Sequence, residues 1–261
     1  MKSAPDIKKK SSPLIYGINP LWEAIKNNPL EILRITVTSG RKGEQVLKIL
    51  EEASRFSVPV VEVERAALDR LTGSGVHQGI AGAIRPYAYV DLEEMLQNAQ
   101  ETIKGQIVVI LDSITDPQNL GAIIRTAHCF GASGVIIPQD RSASVTPTVV
   151  KASAGAAHHI PVTMVANLSR TIDTLKENGF WIYGTDAGAG LDLHSIAFAG
   201  KIALVMGSEG QGLRELIRKK CDFLLSIPMV GNIGSLNVSV ATGIVMHEIF
   251  RGLTNPRGFR E

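Results

Sequence analysis

The sequence predicts an α/β protein in two parts, the larger of them built on a parallel sheet. Three observations carry that reading. Strand-like and helix-like segments alternate along nearly the whole chain. The run Ile107-Val108-Val109-Ile110-Leu111 is apolar without interruption, as expected of a strand covered on both faces. Polar loops, two of them rich in glycine, follow three of the apolar strands, and open α/β sheets place their ligands at such strand ends.

Residues 1–12 read as a flexible basic arm carrying Lys8-Lys9-Lys10. The small unit spans 13–86. It opens with strand Leu14 to Tyr16 and helix Pro20 to Lys26, for which Asn19 is the expected cap. Strand Ile32 to Thr38 is rich in β-branched residues. Helix Glu44 to Arg55 offers Val46, Leu47, Ile49 and Leu50 as its apolar positions. Strand Val60 to Val63, short helix Ala66 to Leu71 and strand Gly79 to Ile84 complete the unit. A chain of about 70 residues can fold independently, though with a marginal core. Residues 87–105 are the expected linker; helix Leu92 to Ile103 serves there either as the link or as the first element of the next unit.

The large unit, 106–261, continues the alternation. Strand Ile107 to Leu111 leads to helix Asn119 to Phe130, strand Gly134 to Ile137, helix Pro147 to Ala157 and strand Pro161 to Met164. Helix Leu168 to Asn178, strand Phe180 to Thr185, strand Ile202 to Met206, helix Leu213 to Lys219, strand Phe223 to Ile227 and helix Leu236 to Arg251 follow. No internal repeat or low-complexity segment interrupts the order.

Composition narrows the function classes. The 261 residues are 44% hydrophobic, ordinary for a globular protein. Lys and Arg total 27 against 25 Asp and Glu, so charge alone does not mark a nucleic-acid binder, although a local patch can still be basic. Cys129 and Cys221 are far apart and support neither a disulfide framework nor a zinc site; buried, reduced thiols of a cytoplasmic protein are expected. Met1 to Ser12 lacks the apolar core of a signal peptide, and no run reaches the length of a membrane span. His158-His159 lacks the i, i+4 spacing of a helical metal pair, so no metal is expected. His77 reads as a turn residue and His247 as a packed or surface histidine.

Three loops look chemical. In the first, Asp116-Pro117-Gln118-Asn119-Leu120-Gly121 opens a helix carrying Arg125 amid Ala122, Ile123, Ile124 and Ala127. A cap accounts for Asn119. A guanidinium in such company either pairs with a carboxylate or binds a phosphate. In the second, Met206-Gly207-Ser208-Glu209-Gly210-Gln211-Gly212-Leu213 exposes a concave backbone without matching G-x-G-x-x-G, and Glu209 there suits a cation or a hydroxyl donor. In the third, Ile227-Pro228-Met229 runs through two glycines into Ser235-Leu236-Asn237, where Ser235 and Asn237 are good helix starters.

Together these loops resemble the three motifs of the SpoU (TrmH-like) RNA ribose 2′-O-methyltransferases, in the right order across the whole large unit. Tyr16-Gly17-Ile18-Asn19-Pro20-Leu21-Trp22-Glu23-Ala24 and His77-Gln78-Gly79 are similar to the N-terminal substrate-binding module of those enzymes, which itself resembles ribosomal protein L30e. The layout is most like that of the bacterial enzymes acting on a guanosine of large-subunit (23S) ribosomal RNA, although Asn19 stands where histidine is common in that subgroup.

The resemblance implies a SPOUT fold with a deep trefoil knot, a homodimer with sites at the subunit interface, and S-adenosylmethionine held by backbone groups around Gly207, Ile227 and Leu236. It assigns Asn119, Arg125, Glu209, Ser235 and Asn237 to catalysis, with Arg125 either as base or, more simply, as anchor for an RNA phosphate. RNA is the implied partner, ribosomal first and transfer RNA as the alternative. The nearly uncharged last helix could supply the dimer contact or the domain core. Two other classes stay open: a non-catalytic RNA-binding protein of the same fold, and an α/β enzyme using a dinucleotide.

Overall fold

The computed structural model describes residues 12–41, 43–73, 75–97, 105–231 and 234–254. Nearly all of the basic arm, the second half of the expected helix Leu92 to Ile103, and Asn232 and Ile233 of the third loop lie outside the described residues. The chain divides into two compact units, Met1–Tyr87 and Ala88–Glu261.

The first unit runs β1 (Leu14–Tyr16), α1 (Ile18–Asn27), β2 (Ile32–Thr38), α2 (Glu44–Arg55), β3 (Val60–Val63), α3 (Arg65–Thr72) and β4 (Ile80–Ile84). Its sheet has the order β1-β4-β2-β3, with β4 antiparallel to both neighbours and β3 parallel to β2. Leu21, Ile25, Ile35, Ile49 and Ile80 are fully buried between sheet and helices. Asn19 does not cap α1. Gly17, at φ 95°, turns the chain two residues earlier, and the Ile18 amide donates to Gln78 Oε1 at 2.9 Å. A left-handed backbone of this kind is open to glycine at little cost. Leu47 is half-exposed because the buried face of α2 repeats at Val46, Ile49 and Ala53. His77 opens a turn closed by the Ile80 amide on its carbonyl at 3.0 Å, and its side chain is buried there: its Nε2 lies 2.7 Å from Asp69, and its Nδ1 accepts from the Gly79 amide.

The second unit runs α4 (Leu92–Gln97), β5 (Gly105–Asp112), α5 (Pro117–Cys129), β6 (Gly134–Pro138), α6 (Pro147–Ala152), β7 (Val162–Val165), α7 (Leu168–Glu177), β8 (Phe180–Thr185), β9 (Leu191–Asp192), β10 (Gly200–Gly207), α8 (Glu215–Lys220), β11 (Phe223–Ser226) and α9 (Val238–Thr254). The strands pair in the order β7-β6-β5-β10-β8-β11-β9, every pair parallel. Burial of β5 from Gln106 to Asp112 is continuous, as its unbroken apolar run requires. Within the stretch expected as a linker, Val90 donates to the Val162 carbonyl and Met95 packs with Val108 and Ile110, so residues 88–97 belong to this unit.

Two elements depart from expectation for local reasons. Helix α6 stops at Ala152 because Ala154 (φ 51°) and Gly155 (φ 85°) reverse the chain before a short 3-10 turn. Strand β9 has only two residues, too few to leave a periodic signature. The cysteines divide: Cys129 is exposed on the outer side of α5, contrary to its apolar sequence context, whereas burial pushes the Cys221 thiol up to about 12. Among the described residues no helix is long and apolar enough to cross a membrane, and no cluster of His, Cys, Asp or Glu could hold a metal ion.

Candidate functional site

In a parallel sheet the C-terminal strand ends share one edge. Asp112, Thr185, Gly207 and Ser226 end β5, β8, β10 and β11, and the loops after β8, β10 and β11 enclose a cavity of about 660 Å³. Thr185, Asp186, Met206, the whole of Gly207–Leu213, Ile227, Met229 and Gly234–Leu236 line it. The three residues expected to hold a cofactor, Gly207, Ile227 and Leu236, are all in this wall, together with Glu209 and Ser235.

The glycine loop is shaped by its own backbone. Ser208 and Gly212 exchange two hydrogen bonds, 3.1 and 2.9 Å, folding Glu209-Gly210-Gln211 into a tight turn. A Cβ on Gly207 would lie 2.2 Å from the Gly212 carbonyl carbon, so even alanine there would force the turn open.

The turn aims Glu209 at the other two loops. Its Oε1 accepts from Asn119 Nδ2 at 3.0 Å, from Asn237 Nδ2 at 2.6 Å and from the Val238 amide at 3.3 Å. Asn237 Nδ2 also reaches Asn119 Oδ1 at 3.0 Å. Three side chains from three separate loops thus form one closed network, in which Glu209 Oε2 has no partner among the described residues. Amide donors occupy Oε1, and Oε2 remains open to a cation or a hydroxyl donor.

The helix starts explain why these amides are available. Asp116 caps α5, accepting from the Gln118 amide at 2.9 Å with Pro117 in the first turn, so Asn119 is free to face the network. Asn237 caps α9 with its Oδ1, which accepts from the Ser239 amide at 2.9 Å and the Val240 amide at 3.3 Å, while its Nδ2 serves the site. Ser235 is not a cap; it lines the cavity with its hydroxyl unpartnered among the described residues.

Arg125 stands apart from this network. Its neighbours Ile123, Ile124 and Ala127 face inward, whereas Arg125 is exposed on α5 and has no partner among the described residues. The structural ion pair is therefore excluded within the described residues, and a cation remains open to an external anion.

Two ion pairs in this region were not legible in the sequence. Asp112, fully buried at the end of β5, accepts from the Arg214 amide at 2.9 Å and from Arg214 Nε at 2.6 Å. That clamp ties the end of the glycine loop to the strand that launches the first loop. Asp186 accepts from Arg218 at 2.5 Å and from the Gly188 amide at 2.8 Å, and the Arg218 guanidinium holds its carboxyl below the usual range. The only local hints were an acid ending an apolar strand and an arginine just past the glycines.

The cavity suits an adenosine-bearing sulfonium. Its volume lies in the range of small-molecule sites. Met206, Ile227 and Met229 offer apolar surface for a base, exposed backbone offers hydrogen bonds, and Asp186 and Glu209 offer acceptors for hydroxyl or ammonium groups.

Comparison with known proteins agrees. Residues 106–247 match the SpoU rRNA methylase family, and residues 14–90 match the family described as RNA 2′-O ribose methyltransferase substrate binding. A Staphylococcus aureus protein named as a TrmH family tRNA/rRNA methyltransferase is 44% identical over 91% of this chain and 95% of its own length. The AdoMet-bound rRNA methyltransferase from Sinorhizobium meliloti has a TM-score of 0.61 at 26% identity, covering 94% of this chain and 89% of that one. For the fold alone, the AdoMet complex of the SpoU methyltransferase AviRb from Streptomyces viridochromogenes gives a TM-score of 0.59 at 22% identity over 92% and 90% of the two chains. A parallel sheet with a donor-sized cavity at its strand ends, and family matches across both units, lead to one conclusion: the chain belongs to the SpoU (TrmH-like) methylase family and is an S-adenosylmethionine-dependent RNA methyltransferase.

Proposed function

We propose that the protein methylates a ribose 2′-hydroxyl, and that this ribose belongs to a guanosine of large-subunit (23S) ribosomal RNA. The observation that carries the reading is the Asn119–Glu209–Asn237 network beside the cavity. When bound, S-adenosylmethionine would supply an activated methyl group: its carbon–sulfur bond would break as the oxygen–carbon bond forms, with S-adenosylhomocysteine as the leaving thioether and the hydroxyl proton passing to water. Gly207, Ile227 and Leu236 hold the cofactor through backbone groups. Glu209 Oε2 accepts a hydrogen bond from the ribose, with Asn119 and Asn237 fixing its carboxylate. Ser235 orients the methionine end. Arg125 grips the adjacent phosphate, which needs no change in its charge. Alignment of oxygen, carbon and sulfur supplies up to about 7–11 kcal/mol of the barrier reduction.

The same reading includes a deep trefoil knot in the large unit, an L30e-like RNA-binding small unit, a cytoplasmic location and a homodimer. Gln118, Ala122, Arg125 and Cys129 share the outer side of α5, and Val240 is half-exposed on the adjoining α9, a surface suited to a second copy. Light scattering is expected to give twice 28.0 kDa; a monomer at micromolar concentration would remove the dimer. A tRNA ribose is the second reading, favoured by the paired name of the staphylococcal relative. Mapping of ribose methylation in rRNA and tRNA from a deletion strain decides between them. Loss of one methyl group from a 23S guanosine is expected, and loss only from tRNA would overturn that target.

A further inference from the structure

The small unit carries a notch of its own. Ile18, Asn19 and Trp22 of α1 and Gln45 and Lys48 of α2 enclose about 140 Å³. Trp22 is anchored by packing against the unit's core, so its ring is held in place. The side-chain amides of Asn19 and Gln45 have no partner among the described residues. Lys48 is exposed and bonds Glu44 at 2.8 Å, and each group favours the charged state of the other. An exposed pair of this kind is weak and exchanges readily for a phosphate.

We propose that this notch receives one unstacked nucleobase of the RNA substrate, with the base against Trp22 and a neighbouring phosphate on Lys48. The proposal rests on RNA being the substrate. Each wall has a matching function. An indole offers a stacking surface, and single-stranded bases are commonly bound that way. Two unpartnered amides offer donors and acceptors to a base edge. The ammonium at the rim supplies the one charge a phosphate needs. The space holds one planar ring and is too small for a helix or a folded loop. The notch therefore selects RNA with an unpaired base over continuous duplex.

Trp22 and Trp181 are the two tryptophans of the chain, so Trp181→Phe leaves Trp22 as the sole reporter. In that background an RNA hairpin with an unpaired purine in its loop should quench Trp22 emission, and a fully paired duplex of equal length should not. Trp22→Ala should weaken hairpin binding on the order of 5- to 150-fold, the loss of one base–aromatic stack, and leave S-adenosylmethionine affinity by calorimetry unchanged. Trp22→Phe, the safer substitution for folding, should retain most of the binding. Lys48→Gln should reduce the salt dependence of binding by about one phosphate contact. Hairpin binding and methyl transfer that persist without quenching, or with Trp22→Ala binding as tightly as wild type, would overturn the notch and leave the reaction standing. Failure of the unmodified protein to bind any RNA would overturn both.

Discussion

Arg125 lies among apolar residues in sequence and on an exposed face in space. Its neighbours Ile123, Ile124 and Ala127 are buried and it is not, because a helix sorts adjacent residues onto different faces. Of the two roles open to such a guanidinium, the carboxylate pair is absent among the described residues, which leaves the anion. Glu209 and Asn119 were legible as chemical residues, but their mutual bond, across 90 positions, was not. The clamp between Asp112 and Arg214 spans 102 positions, so the acid and the arginine are each visible locally but their pairing is not. Arg125→Ala should leave S-adenosylmethionine affinity within about twofold, since the residue does not line the cavity, and should lower methyl transfer by at least about 100-fold. Calorimetry beside a radiolabelled transfer assay checks both; unchanged turnover at saturating RNA would remove Arg125 from the reaction.

Helix α9 joins folding to chemistry through the residue that caps it. Asn237 caps the helix with its oxygen and bridges Glu209 and Asn119 with its nitrogen. The capping was visible in the sequence, since Asn is favoured there; the second task needed the other two loops in place. The two can be separated. Asn237→Asp retains a capping oxygen but loses the donor and sets a second carboxylate against Glu209. Thermal stability should change by less than about 1 kcal/mol, while transfer falls about 100- to 1000-fold. Asn237→Ala should lose both, costing about 1 kcal/mol of stability. A fully active Asn237→Asp enzyme would contradict the bridging role. Helix α5 follows the same logic: Asp116 takes the cap, and Asn119 is thereby released to the site.

At the scale of the whole molecule, alternation of strands and helices made the α/β class and the parallel sheet readable, because burial on both faces leaves an unbroken apolar run in β5. Strand order was not readable. The pairing of β10 with β5 joins segments far apart in the chain, as in Ile107 opposite Ile202, and no local periodicity records it. The site depends on that order, since it brings the ends of β5, β10 and β11 to one edge. The proposed reaction at this edge is methyl transfer to a ribose oxygen of RNA. The direct measurement incubates the purified protein with methyl-labelled S-adenosylmethionine and ribosomal RNA, then hydrolyses the product with alkali. Label is expected in alkali-resistant dinucleotides, because a 2′-O-methyl group blocks cleavage at the adjoining phosphodiester. Label recovered only in alkali-sensitive mononucleotides, as from methylation of a base, would contradict it.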